Sequence, residues 1–232
     1  MSFSRKFLKY VLVSFVSAVV VLTGLVSIAA DNLDTAYIQP RTLVYAGGSF
    51  RVLAENGFDQ EQKQIIREAS IRVHERMRSQ RSAILACADK RSNRDKQSAS
   101  GKAINDQIDQ VFFKTASGGR PINLSVVRLW SDNRYAGFAP VGTRDYRFPE
   151  KGDLLRISLN SDDLGSKSKY FLRNDVDFWA GMVAHEILHN LGYSHPNGYE
   201  GSFVREFGYC TQYSGNVPAD LNLTGGEQQK EG

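Results

Sequence analysis

His185 and His189 stand four residues apart in the run HEILHNLGYSH, residues 185–195. On a helix that spacing projects both imidazoles from one face, one turn above the other, so their nitrogens reach one ion at the roughly 2.0–2.1 Å that zinc prefers. Glu186 lies to the side of the same face. It is too far round to be a ligand but well placed to take a proton from a metal-bound water. Gly192 supplies the left-handed residue that ends the helix, and the turn brings His195 back beneath it as third ligand. Three neutral imidazoles leave one coordination position open on a divalent ion, where the pKa of water falls to about 7. The pattern therefore implies one catalytic Zn2+ and hydrolysis of a polarised carbonyl with Glu186 as general base. The fourth histidine, His74, sits among charged residues and reads as an ordinary surface side chain.

Over these eleven residues the chain resembles the extended zinc signature of the metzincin metallopeptidases. Position by position, the resemblance implies His185, His189 and His195 as ligands, Glu186 as catalytic base and Gly192 as the turn. It implies a zinc-dependent endopeptidase acting on polypeptide substrates. YAGFAP (Tyr135–Pro140) is similar to the cleft-lining edge strand of those enzymes, so Ala136, Gly137, Phe138 and Ala139 are expected to pair with an extended substrate. The chain departs from the family in one respect. Metzincins carry a methionine in a turn downstream of the third histidine, whereas Met1, Met77 and Met182 all precede His195. FGYCTQY (Phe207–Tyr213) is the candidate to fill that space. Similarity to astacins and serralysins implies Tyr213 or Tyr209 as a fifth ligand or oxyanion partner; otherwise both rings pack with Phe203 and Phe207 under the site. Two alternatives keep the metal: a non-catalytic peptide- or glycan-binding module, and a zinc amidase acting on cell-wall peptides. The intact Glu186 argues against the first, and the extended strand favours a peptide backbone over the second.

Such a site needs a helix under the first two histidines. Asn174 or Asp175 caps one that runs through Phe178, Met182, His185 and His189 to Gly192, with Trp179 and Met182 read as core. Upstream, Arg41 to Leu53 alternates around Gly47-Gly48-Ser49, as in a hairpin. Phe58 to about Ala88 is the longest helical stretch: Ile65, Ile66, Ala69, Val73, Met77 and Ile84 recur near a helical period behind an Asp59 cap. Arg67, Arg72, Arg76, Arg78 and Arg81, interleaved with Glu61, Glu68 and Glu75, read as its solvated face. A weaker helix is expected from Gln97 to Thr115, and strands at Ile122–Trp130, Tyr135–Pro140 and Asp153–Asn160. The order predicts an α+β fold: a mixed, twisted sheet with a long backing helix, an active-site helix and a small irregular C-terminal lobe. Residues 31–232 form the catalytic domain in this reading, with 31–192 as upper lobe and 193–232 as lower lobe.

Arg5, Lys6 and Lys9 precede an uncharged apolar run from Tyr10 to Ala30, so residues 1–30 read as a signal peptide or an N-terminal membrane anchor. Either sends the body to the periplasm, the cell surface or the medium. Of 29 Lys+Arg and 25 Asp+Glu in the chain, that segment takes three bases and no acids, leaving 26 against 25. A body so close to neutral gives no case for nucleic-acid binding, and a monomer is expected. Cys87 and Cys210 are the two cysteines. In an exported chain such a pair is expected to form one disulfide; the alternative is a free thiol serving as a zinc-blocking latency switch.

Overall fold

The computed structural model describes residues 41–92, 104–114, 121–129, 136–139, 154–166, 175–195 and 198–218. The apolar run of residues 10–30 lies outside them. So do Trp130, Tyr135, Pro140, Asp153, Asn174, Thr115, residues 97–103 and residues 219–232, on which parts of the expected elements fall.

The hairpin expected around Gly47-Gly48-Ser49 is present. Strands β1 (Arg41–Gly47) and β2 (Phe50–Glu55) are antiparallel, with Gly47 opposite Phe50. β3 (Ile122–Leu129) pairs parallel to β2 on one side and to β5 (Leu154–Asn160) on the other. β4 (Gly137–Phe138) closes the far side antiparallel to β5, giving the order β1-β2-β3-β5-β4. β3 and β5 are parallel inner strands whose apolar residues largely alternate with polar ones, so one face of each turns to the core. Leu124, Val126, Leu155, Ile157 and Leu159 are all buried.

The stretch beginning at Phe58 is two helices, not one. α1 (Gln60–Ser79) opens with a reciprocal capping box: Asp59 Oδ1 accepts from Gln62 N, and Gln62 Oε1 accepts from Asp59 N, both at 2.9 Å. It ends at Gln80, whose φ of −128° and ψ of 7° leave the helical region before α2 (Arg81–Arg91) begins. The apolar period continues across the break through the buried Ile84 and Ala88, which is why the sequence reads as a single helix. α3 (Ile104–Phe112) is the weaker helix, with Ile108, Val111 and Phe112 buried. α4 (Val176–Asn190) carries the first two histidines and is capped by Asp175, whose Oδ1 accepts from Asp177 N at 2.9 Å.

The downstream tail, expected to be irregular, contains a further packing helix, α5 (Phe203–Gln212). Phe203, Val204, Phe207 and Cys210 are buried on it, and it packs on α4 and α2. α4 and α5 approach closely where Gly181 faces Gly208: a Cβ on Gly181 would lie 2.8 Å from the Gly208 carbonyl oxygen. α1 packs on β1 and β2, α4 packs on β5 and β4, and the two helices touch.

Two surface assignments change. Arg76 is not a solvated side chain. Its Nη2 reaches Asp177 Oδ1 at 2.5 Å and its Nη1 the Thr211 carbonyl at 2.9 Å, joining α1 to the start of α4 and the end of α5. Arg81 likewise pairs with Asp109. His74 is half-buried rather than an open surface residue. Its Nδ1 lies 2.7 Å from the Tyr45 hydroxyl, and its ring stacks on Phe112 at a centroid distance of 6.2 Å. Burial lowers its pKa. Phe112 and Phe113 come from α3 and its end, a distance in sequence over which charge pattern says nothing.

Asn190 ties α4 to the sheet. Its Oδ1 accepts from Arg156 N at 3.0 Å, and its Nδ2 donates to Arg156 O at 2.9 Å and to Glu186 O at 3.1 Å. Residues 156, 158 and 160 turn their main-chain groups to the same side of β5, because those groups alternate along a strand. Ser158 pairs with Phe138 there, and Asn160 N donates to Ala136 O. The Asn190 amide therefore continues the β4 ladder after β4 itself has ended. Asn190→Ala strips two partners from the Arg156 main chain. It should lower stability by about 1–3 kcal/mol, read as a lower urea midpoint with an unchanged m-value. An unchanged midpoint would show that the clamp contributes nothing.

Candidate metal centre

His185 and His189 project from α4 as the four-residue spacing requires, and their Nε2 atoms are 3.1 Å apart. Leu191 ends the helix and Gly192 adopts φ 93°, so the chain turns back and places His195 beside them. The three ligand nitrogens lie within 4.8 Å of one another. A tetrahedral set at zinc-like bond lengths needs about 3.3 Å between nitrogens. The α4 pair is already near that separation, and a small inward movement of His195 completes the set. These three residues lie close enough to bind one metal ion.

The outer nitrogen of each ring has an acceptor, and that fixes which nitrogen is left for a metal. His189 Nδ1 is 2.8 Å from the Tyr193 carbonyl oxygen, which can only accept, so Nδ1 carries the proton. His195 Nδ1 is 2.6 Å from Ser202 Oγ. The single Ser202 hydroxyl proton goes to Tyr199 O at 2.7 Å, so this hydroxyl accepts from His195. His185 turns its Nδ1 side toward α5 and bonds the Val204 main chain. All three Nε2 atoms are thereby left with lone pairs, a nitrogen donor set suited to a divalent transition ion.

Charge is arranged to match. Burial, then the neighbouring His189 and His195, hold His185 well below the ordinary histidine value. Burial lowers His189 as well, and burial with the adjacent His189 pushes His195 down to about 4. The rings are neutral at pH 7 and ready to ligate. In metal-free protein the unfolded chain protonates these histidines below about 6.5, whereas the folded chain resists until near 4 at His195. The unfolded state then binds more protons, so stability falls as pH drops through that window and is recovered above it. Thermal melts of chelator-treated protein should show a decline from pH 7 to pH 5 that is shallower in His195→Gln. Parallel declines in the two proteins would overturn this assignment.

Glu186 is buried, and its carboxylate packs against the main chain of β4. A Cβ on Gly137 would lie 2.7 Å from Glu186 Oε1 and 3.1 Å from Met182 Cε. Of the expected edge residues Ala136, Gly137, Phe138 and Ala139, Gly137 thus passes directly beside Glu186, with the paired strand confined to Gly137–Phe138. Trp179 is fully buried core; Met182, half-buried, lines a pocket with His185. Tyr209 lines that same pocket, stacked against Arg205. Tyr213 sits at the C-terminal cap of α5. Among the described residues, the tyrosine brought closest to the histidine rings is Tyr199, 5.0 Å from His195 and 5.9 Å from His185 between centroids.

Tyr199, Ser202, Arg205 and Asn190 escaped sequence reasoning as parts of the site. Ser202 had a readable signal: a serine before an apolar run at helical spacing is an N-cap, and Ser202 Oγ does accept from Arg205 N.

Cys87 and Cys210 form a disulfide that joins α2 to α5, a bond that fits an oxidising environment. Among the described residues no helix is long and apolar enough to cross a membrane. No protein-family profile, curated protein or solved structure matches this chain.

Proposed function

We propose that this protein is a zinc-dependent endopeptidase of metzincin type that acts outside the cytoplasm. The observation that carries the reading is a buried carboxylate, Glu186, packed against the edge strand β4 and next in sequence to His185 in a cluster of three imidazoles. His185, His189 and His195 hold the ion. Bound zinc supplies a Lewis acid for the scissile carbonyl and a nucleophilic water near neutral pH. Glu186 does the proton work: its carboxylate takes a proton during attack and delivers it to the departing amine. β4 orients the substrate, since its outer edge offers main-chain groups to an extended peptide that then passes the Glu186 carboxylate. Asn190 fixes that geometry by holding α4 to β5.

Elemental analysis of protein recovered from an oxidising compartment should give about one zinc per chain, and His189→Ala should lose most of it. The wild type should cleave members of a broad peptide library and stop when chelated. Full zinc occupancy in His189→Ala would sink the ligand set. Zinc in place with no cleavage would point to a binding module, and turnover confined to cell-wall peptides to an amidase.

A further inference from the structure

We propose that the pocket beside His185 is a subsite for a carboxylate-bearing substrate residue, read by Arg205; the proposal rests on the peptidase reading for its substrate class. The pocket opens between α4 and α5, and its lining includes Phe178, Met182, His185, Tyr199, Arg205 and Tyr209. Because it shares His185 with the metal centre, a group filling it belongs to a residue adjoining the scissile bond. Its volume is about 30 Å³, enough for one or two water-sized groups. That suits the carboxylate of a short side chain.

Among the described residues, Arg205 is the one formally charged side chain in that lining. Its guanidinium is held between two rings, with Cζ 4.8 Å from the Tyr209 centroid and 5.6 Å from that of Tyr199. Such sandwiching orients the cation and limits its hydration. Nη1 donates to Glu206 Oε1 at 2.6 Å, while Glu206 Oε2 accepts from Arg91 Nε at 2.7 Å. One buried carboxylate therefore faces two guanidiniums. Arg205 Nε is buried and has no hydrogen-bond partner among the described residues. A half-buried cation with donors to spare favours an anion, and a planar carboxylate matches a guanidinium better than any neutral group does. Asparagine has the shape of aspartate but offers one acceptor and no charge, so it is the discriminating comparison.

The test uses matched peptides carrying Asp, Asn or Leu at each position flanking the cleaved bond. Their affinities for zinc-loaded Glu186→Gln are measured by calorimetry, and their cleavage by wild type is followed in parallel. At one flanking position, Asp should bind on the order of 10–100-fold more tightly than Asn. Introducing Arg205→Gln into that background should bring the ratio near one, while Arg205→Lys should retain part of it. The ratio is taken within each protein, so a general loss of stability cancels, and Arg205→Lys preserves the test if the glutamine variant does not fold. Asp and Asn bound equally, Leu preferred, or a ratio that survives Arg205→Gln would overturn the subsite. Discrimination without cleavage of any peptide would support the subsite and sink the peptidase reading. Cleavage without discrimination would do the reverse.

Discussion

Glu186→Gln should lower peptide turnover by at least about 10²–10⁴-fold while leaving zinc content near that of wild type. The substitution keeps the volume and planarity of a side chain that is 2% exposed and pressed against Gly137, so neither α4 nor β4 has reason to shift. It leaves His185, His189 and His195 and their Nδ1 acceptors intact, and therefore the metal affinity. It removes only the capacity to hold a proton. Substrate peptides should still bind, because β4 and the pocket beside His185 are unchanged. The measurement is kcat, zinc content and peptide affinity on both proteins side by side. Equal turnover would refute Glu186 as the base, whereas loss of zinc together with turnover would show that the substitution had damaged the ligand set instead.

The second large effect belongs to the disulfide. Cys87 and Cys210 are separated by 123 residues, and closing a loop of that length in the unfolded chain is worth about 5 kcal/mol by chain entropy, with measured losses more often about 2–5. The bond also carries a structural consequence for the site. It fastens α5 to α2, and α5 begins at the Ser202 cap and supplies Val204, the outer partners of His195 and His185. Cys87→Ala together with Cys210→Ala should therefore lower the urea midpoint sharply and also weaken zinc retention against a competing chelator. Zinc affinity unchanged despite a lowered midpoint would confine the bond to global stability. An unchanged midpoint would overturn the prediction altogether.

The three-histidine cluster was legible because it is local. His185, Glu186, His189 and Gly192 follow from the geometry of one helix and its end, and His195 follows from the turn. The hairpin and the capping box at Asp59 were legible for the same reason, since each is written in a few consecutive residues. What the sequence hid depends on contacts across the chain. Gln80 breaks a helix whose apolar period runs on regardless. Phe112 and Phe113 draw His74 out of solvent, and Asp177 does the same for Arg76. The Asn190 amide makes sense only once β4 is seen to stop short of Arg156. The absence of a downstream methionine points to Tyr209 and Tyr213, while among the described residues the tyrosine ring nearest the histidines belongs to Tyr199, in a loop with no periodicity to mark it.

The close crossing of α4 and α5 has a consequence for anyone wishing to make this protein more heat-resistant. Replacing glycine by alanine inside helices is a routine gain of roughly 0.5–1 kcal/mol per site, and Gly181 and Gly208 look like obvious choices. Here the added methyl group at Gly181 would meet a backbone oxygen at 2.8 Å, and one at Gly208 would meet another at 3.2 Å. The two helices would be wedged apart, carrying Ser202 and Val204 away from the histidines they orient. Consensus or propensity-guided redesign should therefore leave this pair alone and look to surface positions on α1 and α2 instead.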